Sequence, residues 1–245
     1  MDYTFLLLAL IVLLAYTTHA LSGFGSMIIA ITLGMHLYPI ETLLPVLVPL
    51  DVLLNMYIVI RHYKKVERGL LVRRILPIMG LGLLTGLLLF NYLHSGILKI
   101  TYGCFVTLVS VRELYLLYKK KHVRGPLTRV EEALWLMAGG IIQGVFASGG
   151  PPVVYVAGRI IPQKANFRST LAALWIVLNL VLTASYILTG RLNLSTLSRS
   201  AMLLPVVILC IVLGERLHNL VDEYKFRIIV FILLLCAGIS LVIRS

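Results

Sequence analysis

The chain has 245 residues, of which 60% are apolar (AVILMFWYC) and 13% are charged, about half the charged share of a soluble domain. That composition excludes both a soluble globular domain and a disordered chain, neither of which can place so much apolar surface. The formal net charge of +12, from 22 Lys and Arg against 10 Asp and Glu, does not mark a nucleic-acid surface, because the basic residues fall between apolar runs, where positive-inside bias and anionic lipid account for them.

Ten apolar runs follow in order, over residues 3–20, 27–38, 42–60, 75–93, 97–118, 133–147, 153–161, 169–189, 200–214 and 228–243. At about 20 residues per span, the length has room for seven or eight spans with short connections and no soluble domain beside them. The first run lacks a basic leader and reads as a mature membrane segment. The second and seventh are too short to cross about 30 Å at 1.5 Å per residue. Each follows a helix-breaking cluster, Ser22-Gly23-Phe24-Gly25-Ser26 and Ser148-Gly149-Gly150-Pro151-Pro152. Each is expected to fold back on the run before it as a hairpin that returns to its own side.

Loop charge predicts the orientation. Four connections, Arg61–Arg74, Lys119–Arg129, Arg159–Arg168 and Arg216–Arg227, hold 17 of the 22 basic residues and should face the cytoplasm, which leaves both termini outside. Arg112 and Glu113 are expected at the cytoplasmic interface, and the Trp and Tyr residues mostly as interfacial anchors. Cys104, Cys210 and Cys236 lie inside apolar runs without CxxC spacing; they read as inert packing residues, with no metal and no disulfide.

The two halves repeat one another. An offset of 124 pairs His19 with Gln143, Gly25 with Gly149, Gly34 with Gly158 and Asn55 with Asn179. An offset of 128 then pairs Pro77 with Pro205, Gly86 with Gly214, Leu89 with Leu217, Asn91 with Asn219 and Lys99 with Arg227. One transport domain over 1–245 is expected, with repeat 1 at about 1–120 and repeat 2 at about 131–245. The fold class is an all-α polytopic membrane protein in which each repeat is a broken re-entrant hairpin plus three transmembrane helices. Three is odd, so the second repeat lies inverted, as in secondary transporters.

The paired breaks, the downstream Asn55 and Asn179, and a Pro followed by Gly and Leu-x-Asn in each half (Pro77, Gly86, Leu89, Asn91; Pro205, Gly214, Leu217, Asn219) resemble the TauE/SafE sulfite exporter family over nearly the whole chain. The resemblance implies a prokaryotic multi-pass permease of the plasma (inner) membrane for sulfur-containing anions such as sulfite or organosulfonates. The expected partners are a small anion and the lipid bilayer, with a second copy of the chain as a candidate and no nucleic acid. No cofactor or metal is expected.

An anion entering a low-dielectric core must exchange its hydration for donors, and a broken helix offers backbone N–H groups with the positive end of a dipole. Glycine admits the ligand close to the backbone, and proline suits a helix's first turn. The candidate substrate-binding residues are therefore Gly23, Gly25, Ser26, Asn55, Ser148, Gly149, Gly150, Pro151 and Asn179. The alternatives are close helix packing for the glycines and an interhelical hydrogen bond for the asparagines. Asp51, near mid-bilayer and paired by the repeat with Trp175, is a candidate for proton coupling or gating or else a neutral or paired acid in a wet vestibule. His19 and Gln143, just before the breaks, are candidates for the same role or for bracing the loops. Two rival functions remain, a passive anion channel built from the same helix ends and an intramembrane hydrolase with a Ser148/His19 dyad.

Overall fold

The computed structural model describes residues 3–119, 127–217 and 223–243, and these contain no strand. The helices are α1 (Tyr3–Ser22), α2 (Ser26–Gly34), α3 (Ile40–His62), the single turn α4 (Arg68–Leu70), α5 (Leu76–Tyr92), α6 (Ser95–Tyr118), α7 (Arg129–Phe146), α8 (Gly150–Ile160), α9 (Lys164–Leu188), α10 (Leu194–Leu217) and α11 (Glu223–Ile243). A π-helical turn, Leu71–Ile75, joins α4 to α5. Six stretches are long and apolar enough to cross a membrane: α1, α3, α4 with α5, α6, α9 and α10. Ile228–Ile243 in α11 is a shorter apolar stretch. Lys120, Lys121, Arg124, Asn219 and the terminal residues 1–2 and 244–245, which bear on the expected loops, repeat and termini, lie outside the described residues, as do the side chains of Ser22, Arg216, Leu217, Lys225 and Arg227.

Both breaks reverse the chain. After α1, Gly23 and Gly25 take φ of 84° and 98°, a left-handed backbone that glycine adopts at no steric cost. The returning arm ends beside the start of α1, where Tyr38 Oη donates to Thr4 Oγ1 at 2.9 Å. In the second hairpin α7 starts at a capping box between Thr128 and Glu131 and stops at Ala147, whose φ is 49°. Prolines stand in the first turn of α8, where a missing N–H is tolerated. The Trp135 and Tyr155 rings, 4.9 Å apart, pack the two arms together.

The main packing pairs are α5 with α7, α1 with α10, α3 with α9, and α6 with α11. Exchanging the halves through the 124 and 128 offsets turns the first pair into the second and returns the other two to themselves. One close contact follows the same offsets. A Cβ on Gly144 would lie 2.3 Å from Leu83 O and 2.8 Å from Gly86 Cα, and a Cβ on Gly214, the counterpart of Gly86, would lie 2.3 Å from the Cβ of Ala20, the counterpart of Gly144. Gly82 and Gly140 extend the first seam, a small-xxx-small contact that lets backbones approach where lipid supplies no hydrophobic drive.

Contacts also gather the described ends of the basic connections on one face. Arg74 pairs with Glu132, Asn166 Nδ2 donates to Glu67 Oε1 at 2.6 Å, and Tyr224 Oη donates to Leu117 O at 3.4 Å. These tie the Arg61–Arg74 segment to its three basic neighbours directly or through α6. At the other end, His36 Nε2 lies 3.2 Å from Ser240 Oγ and Arg191 covers the Phe90 ring. Thr4 and Ser240 therefore share the face opposite the basic connections.

Two expectations about side-chain placement need correction. Tyr16, Tyr102 and Tyr186 are fully buried instead of anchoring at an interface; the hydroxyl of Tyr16 is satisfied inside by Leu47 O at 2.7 Å. Cys210 is buried, but Cys104 and Cys236 are exposed, on faces of α6 and α11 that no neighbouring helix covers.

The Gly144 seam has no room for a side chain. Gly144→Leu is expected to lower stability by at least about 1–3 kcal/mol through overpacking, whereas Gly80→Ala, on the open side of α5, should leave it unchanged or slightly higher. Thermal unfolding of the two purified variants in one detergent checks this.

Candidate functional site

Six polar side chains from five helices meet inside the bundle, and all six are buried: His19 from α1, Ser26 from α2, Asp51 and Asn55 from α3, Gln143 from α7 and Asn179 from α9. Local structure puts each in place. Asp51 and Asn55 are one helical turn apart and share a face; His19 sits in the last turn of α1, and Ser26 opens α2 directly after the left-handed Gly25.

The Asp51 carboxylate is the hub. Its Oδ2 accepts from Asn55 Nδ2 at 2.8 Å and from Asn179 Nδ2 at 2.9 Å. Its Oδ1 lies 2.5 Å from Ser26 Oγ, and Ser26 Oγ lies 2.6 Å from His19 Nδ1. Asn55 Nδ2 also donates to Asp51 O. The amide of Asn55 is thereby oriented, and its Oδ1, 3.1 Å from His19 Nε2, accepts from a protonated Nε2. On the far side Gln143 Nε2 donates to Asn179 Oδ1 at 2.7 Å, and Gly149 N donates to Gln143 Oε1 at 2.8 Å. An unbroken hydrogen-bonded path runs from one break to the other, with the carboxylate in the middle.

The two halves use the same bond. His19 Nε2 to Asn55 Oδ1 and Gln143 Nε2 to Asn179 Oδ1 are equivalent at the 124 offset, and in each half the residue before the break also reaches into the break, at Ser26 or Gly149. Asp51 departs from this pattern, since Trp175 stands at its counterpart position. One acid therefore takes donors from both halves.

Other residues singled out in the sequence lie differently. Ser148 donates to Phe146 O at 3.0 Å and lies 3.1 Å from Tyr102 Oη, so His19 and Ser148 form no dyad. Nor do His19, Ser26 and Asp51 form a nucleophilic triad, because the serine bridges the acid and the imidazole where catalysis needs the imidazole to bridge the other two. Gly23 is turned to Arg168, whose Cγ would lie 2.6 Å from an added Cβ. Gly149 is a packing glycine: a Cβ there would lie 2.2 Å from Gly139 O. A bulky residue at 149 would therefore clash with α7 before it could block a ligand. Gly150 faces open space. Pro151 and Pro152 carry no N–H, so the start of α8 offers fewer backbone donors than a broken helix usually does. Tyr102 escaped the sequence reading because a lone tyrosine within a span carries no pattern; its hydroxyl lies 3.3 Å from Ile28 O as well as near Ser148, linking α6 to both hairpins.

A family model described as sulfite exporter TauE/SafE matches residues 8–241. A probable inner membrane transporter protein, TsaS, of Comamonas testosteroni is 27% identical over 172 residues, 68% of this chain and 69% of that protein. A probable sulfite/organosulfonate exporter, TauE, of Cupriavidus necator is 26% identical over 107 residues, 44% of this chain and 42% of that protein. No solved structure matches.

Gln143 satisfies a buried donor and a buried acceptor at once. Gln143→Leu orphans Gly149 N–H and Asn179 Oδ1, at about 1–3 kcal/mol for each group, and the melting temperature should fall accordingly. Gln143→His, which copies the arrangement at position 19, should recover part of the loss in the same thermal measurement.

Proposed function

Because the chain belongs to the sulfite exporter TauE/SafE family, a family of membrane transporters, we propose that it carries small sulfur-containing anions such as sulfite or organosulfonates. The substrate binds between the two hairpins and crosses by alternating access. One observation carries this reading: Ser26, Asn55 and Asn179, neutral groups from both halves, converge on the two oxygens of a single buried carboxyl group, that of Asp51. Donors arranged to hold one oxyanion in a low-dielectric interior suit another of similar shape, and their neutrality lets it leave again. The substrate's oxygens take the donors that Asp51 now occupies.

The two repeats are inverted about an axis in the membrane plane, which the exchange symmetry of the packing pairs and the equivalent His19 and Gln143 bonds support. The basic face is cytoplasmic, in a prokaryotic inner membrane, and both termini are outside. A channel built from the same donors would only dissipate a gradient, whereas a coupled carrier concentrates its substrate, so labelled-sulfonate flux in proteoliposomes separates the two.

Asn55→Ala and Asn179→Ala should each weaken binding of a small sulfonate by about 10- to 150-fold, the value of about 1.5–3 kcal/mol for a hydrogen bond to a charged group. The two effects should be similar in size. Calorimetric affinities of the folded variants test this; normal binding by both would place the substrate elsewhere. For topology, Lys65→Cys and Gly190→Cys in a background lacking the native cysteines should label with a membrane-impermeant maleimide only from the cytoplasmic and only from the outer side, respectively. Labelling of both from one side would refute the inverted arrangement.

A further inference from the structure

The proton count of the Asp51 cluster points to how the carrier is energised. His19 Nδ1, Ser26 Oγ and Asp51 Oδ1 stand in a row at 2.6 and 2.5 Å. Two hydrogen bonds in series need two protons, and the serine hydroxyl provides one. The second sits either on His19 Nδ1, giving an imidazolium and a carboxylate, or on Asp51 Oδ1, giving a neutral imidazole and a carboxylic acid. The forms interconvert when His19 Nδ1–H passes to Ser26 Oγ while the serine proton passes to Asp51 Oδ1, with no change in net charge. His19 Nε2–H stays bound to Asn55 Oδ1 in both. The free cluster therefore holds one exchangeable proton and is electrically neutral.

The other ionisable groups on the surrounding helices do not upset this count. Tyr16 on α1 is within electrostatic reach of Asp51, and its phenol is tied to Leu47 O. Cys210 on α10 faces the Val12 and Leu13 carbonyls. Tyr102 on α6 is engaged with Ser148 and Ile28 O. Arg168 on α9 packs its stem on Gly23 and lies within electrostatic reach of His19. His19 is the basic side chain paired with the carboxyl group, its Nδ1 being 3.6 Å from Oδ1.

We infer that a monovalent anion binds this cluster together with one proton, Asp51 serving as a tethered stand-in for the substrate that gives up its donors when it becomes a carboxylic acid. This rests on the anion reading above. An anion and an ionised Asp51 compete for Ser26, Asn55 and Asn179, and two like charges at one buried point repel strongly. With one further proton aboard, His19 is an imidazolium, Asp51 is neutral, and the added anion restores zero net charge. Anion and proton therefore cross in the same direction. Gln143 occupies the counterpart of His19 and cannot ionise, so the proton belongs to the first half alone.

The test uses the purified full chain in lipid nanodiscs and methanesulfonate, whose charge is fixed across the pH range. Calorimetry between pH 6.5 and 8.5, in buffers of different ionisation heat, reads both affinity and protons taken up. The expected result is uptake of about one proton per anion, with Kd rising about tenfold per pH unit, because the bound state holds more protons than the free one. Asp51→Asn places an amide donor where the acid proton would be. His19→Gln requires Asp51 to keep its proton if both hydrogen bonds are to form. His19→Gln should bind with little proton uptake and a flat pH profile, and hence more tightly than the natural chain at pH 8.5, whereas Asp51→Asn leaves His19 to take the proton and should still bind with uptake of about one proton. Binding without proton uptake by the natural chain, or uptake that survives in His19→Gln, overturns the coupling and leaves the anion site standing. Absence of methanesulfonate and sulfite binding at every pH overturns both.

Discussion

A carboxyl group inside a membrane protein is the constraint on which the rest of this structure depends. Removing an ionised carboxylate from water costs several kcal/mol even after relaxation, and the cost is recovered only if both oxygens are met by donors in good geometry. Asp51 is met by Ser26, Asn55 and Asn179. Those donors are themselves oriented by His19 and Gln143, and Gln143 in turn by the backbone of Gly149. Every link is buried, so each is expensive to break and the whole path behaves as one unit. The two halves of the chain are joined through this one acid.

The tight glycine contacts serve this arrangement. Gly86 against Gly144, Gly214 against Ala20 and Gly149 against Gly139 bring helix backbones close enough for short polar side chains to span the centre. Asparagine and serine reach only a few ångströms; larger residues at the seams would push α5 and α10 away from the hairpins and open the hydrogen bonds. Rigidity at the seams, with left-handed backbone at Gly23, Gly25 and Ala147 where the hairpins turn, is what a carrier needs if its hairpins are to move as bodies between two positions.

Much of the fold was legible because membrane helices are written in long apolar runs. The expected 42–60 became Ile40–His62, 97–118 became Ser95–Tyr118, and the two short runs after the breaks became Ser26–Gly34 and Gly150–Ile160. The 124 offset that paired His19 with Gln143 and Asn55 with Asn179 led to two bonds of one kind. The centre of the cluster was not legible. Trp175 at the counterpart of Asp51 suggested that the acid stood apart from the duplicated framework, yet a pseudo-symmetric pair of donors can be closed by a single acceptor from one half. Gly149 looked like a ligand-facing glycine because its neighbours are Ser148 and Gly150; which way its Cα–H points depends on the packing of α8 on α7, and no local spacing encodes that. Tyr16 and Tyr102 were misplaced for the same reason, since an amphipathic ring suits an interface or a buried carbonyl equally well.

The claim that ties these features together is that the donors on Asp51 are also the substrate's donors. Anomalous X-ray diffraction from crystals soaked with 2-bromoethanesulfonate tests it most directly, because the bromine marks the ligand independently of the protein phases. The account predicts an anomalous peak beside a sulfonate that lies within hydrogen-bond distance of Ser26, Asn55 and Asn179, with the Asp51 side chain turned away from Asn179. A peak confined to the basic face, beside Arg112 and Arg159 where they flank the Tyr155 ring, with Asp51 still holding all its donors, would contradict it.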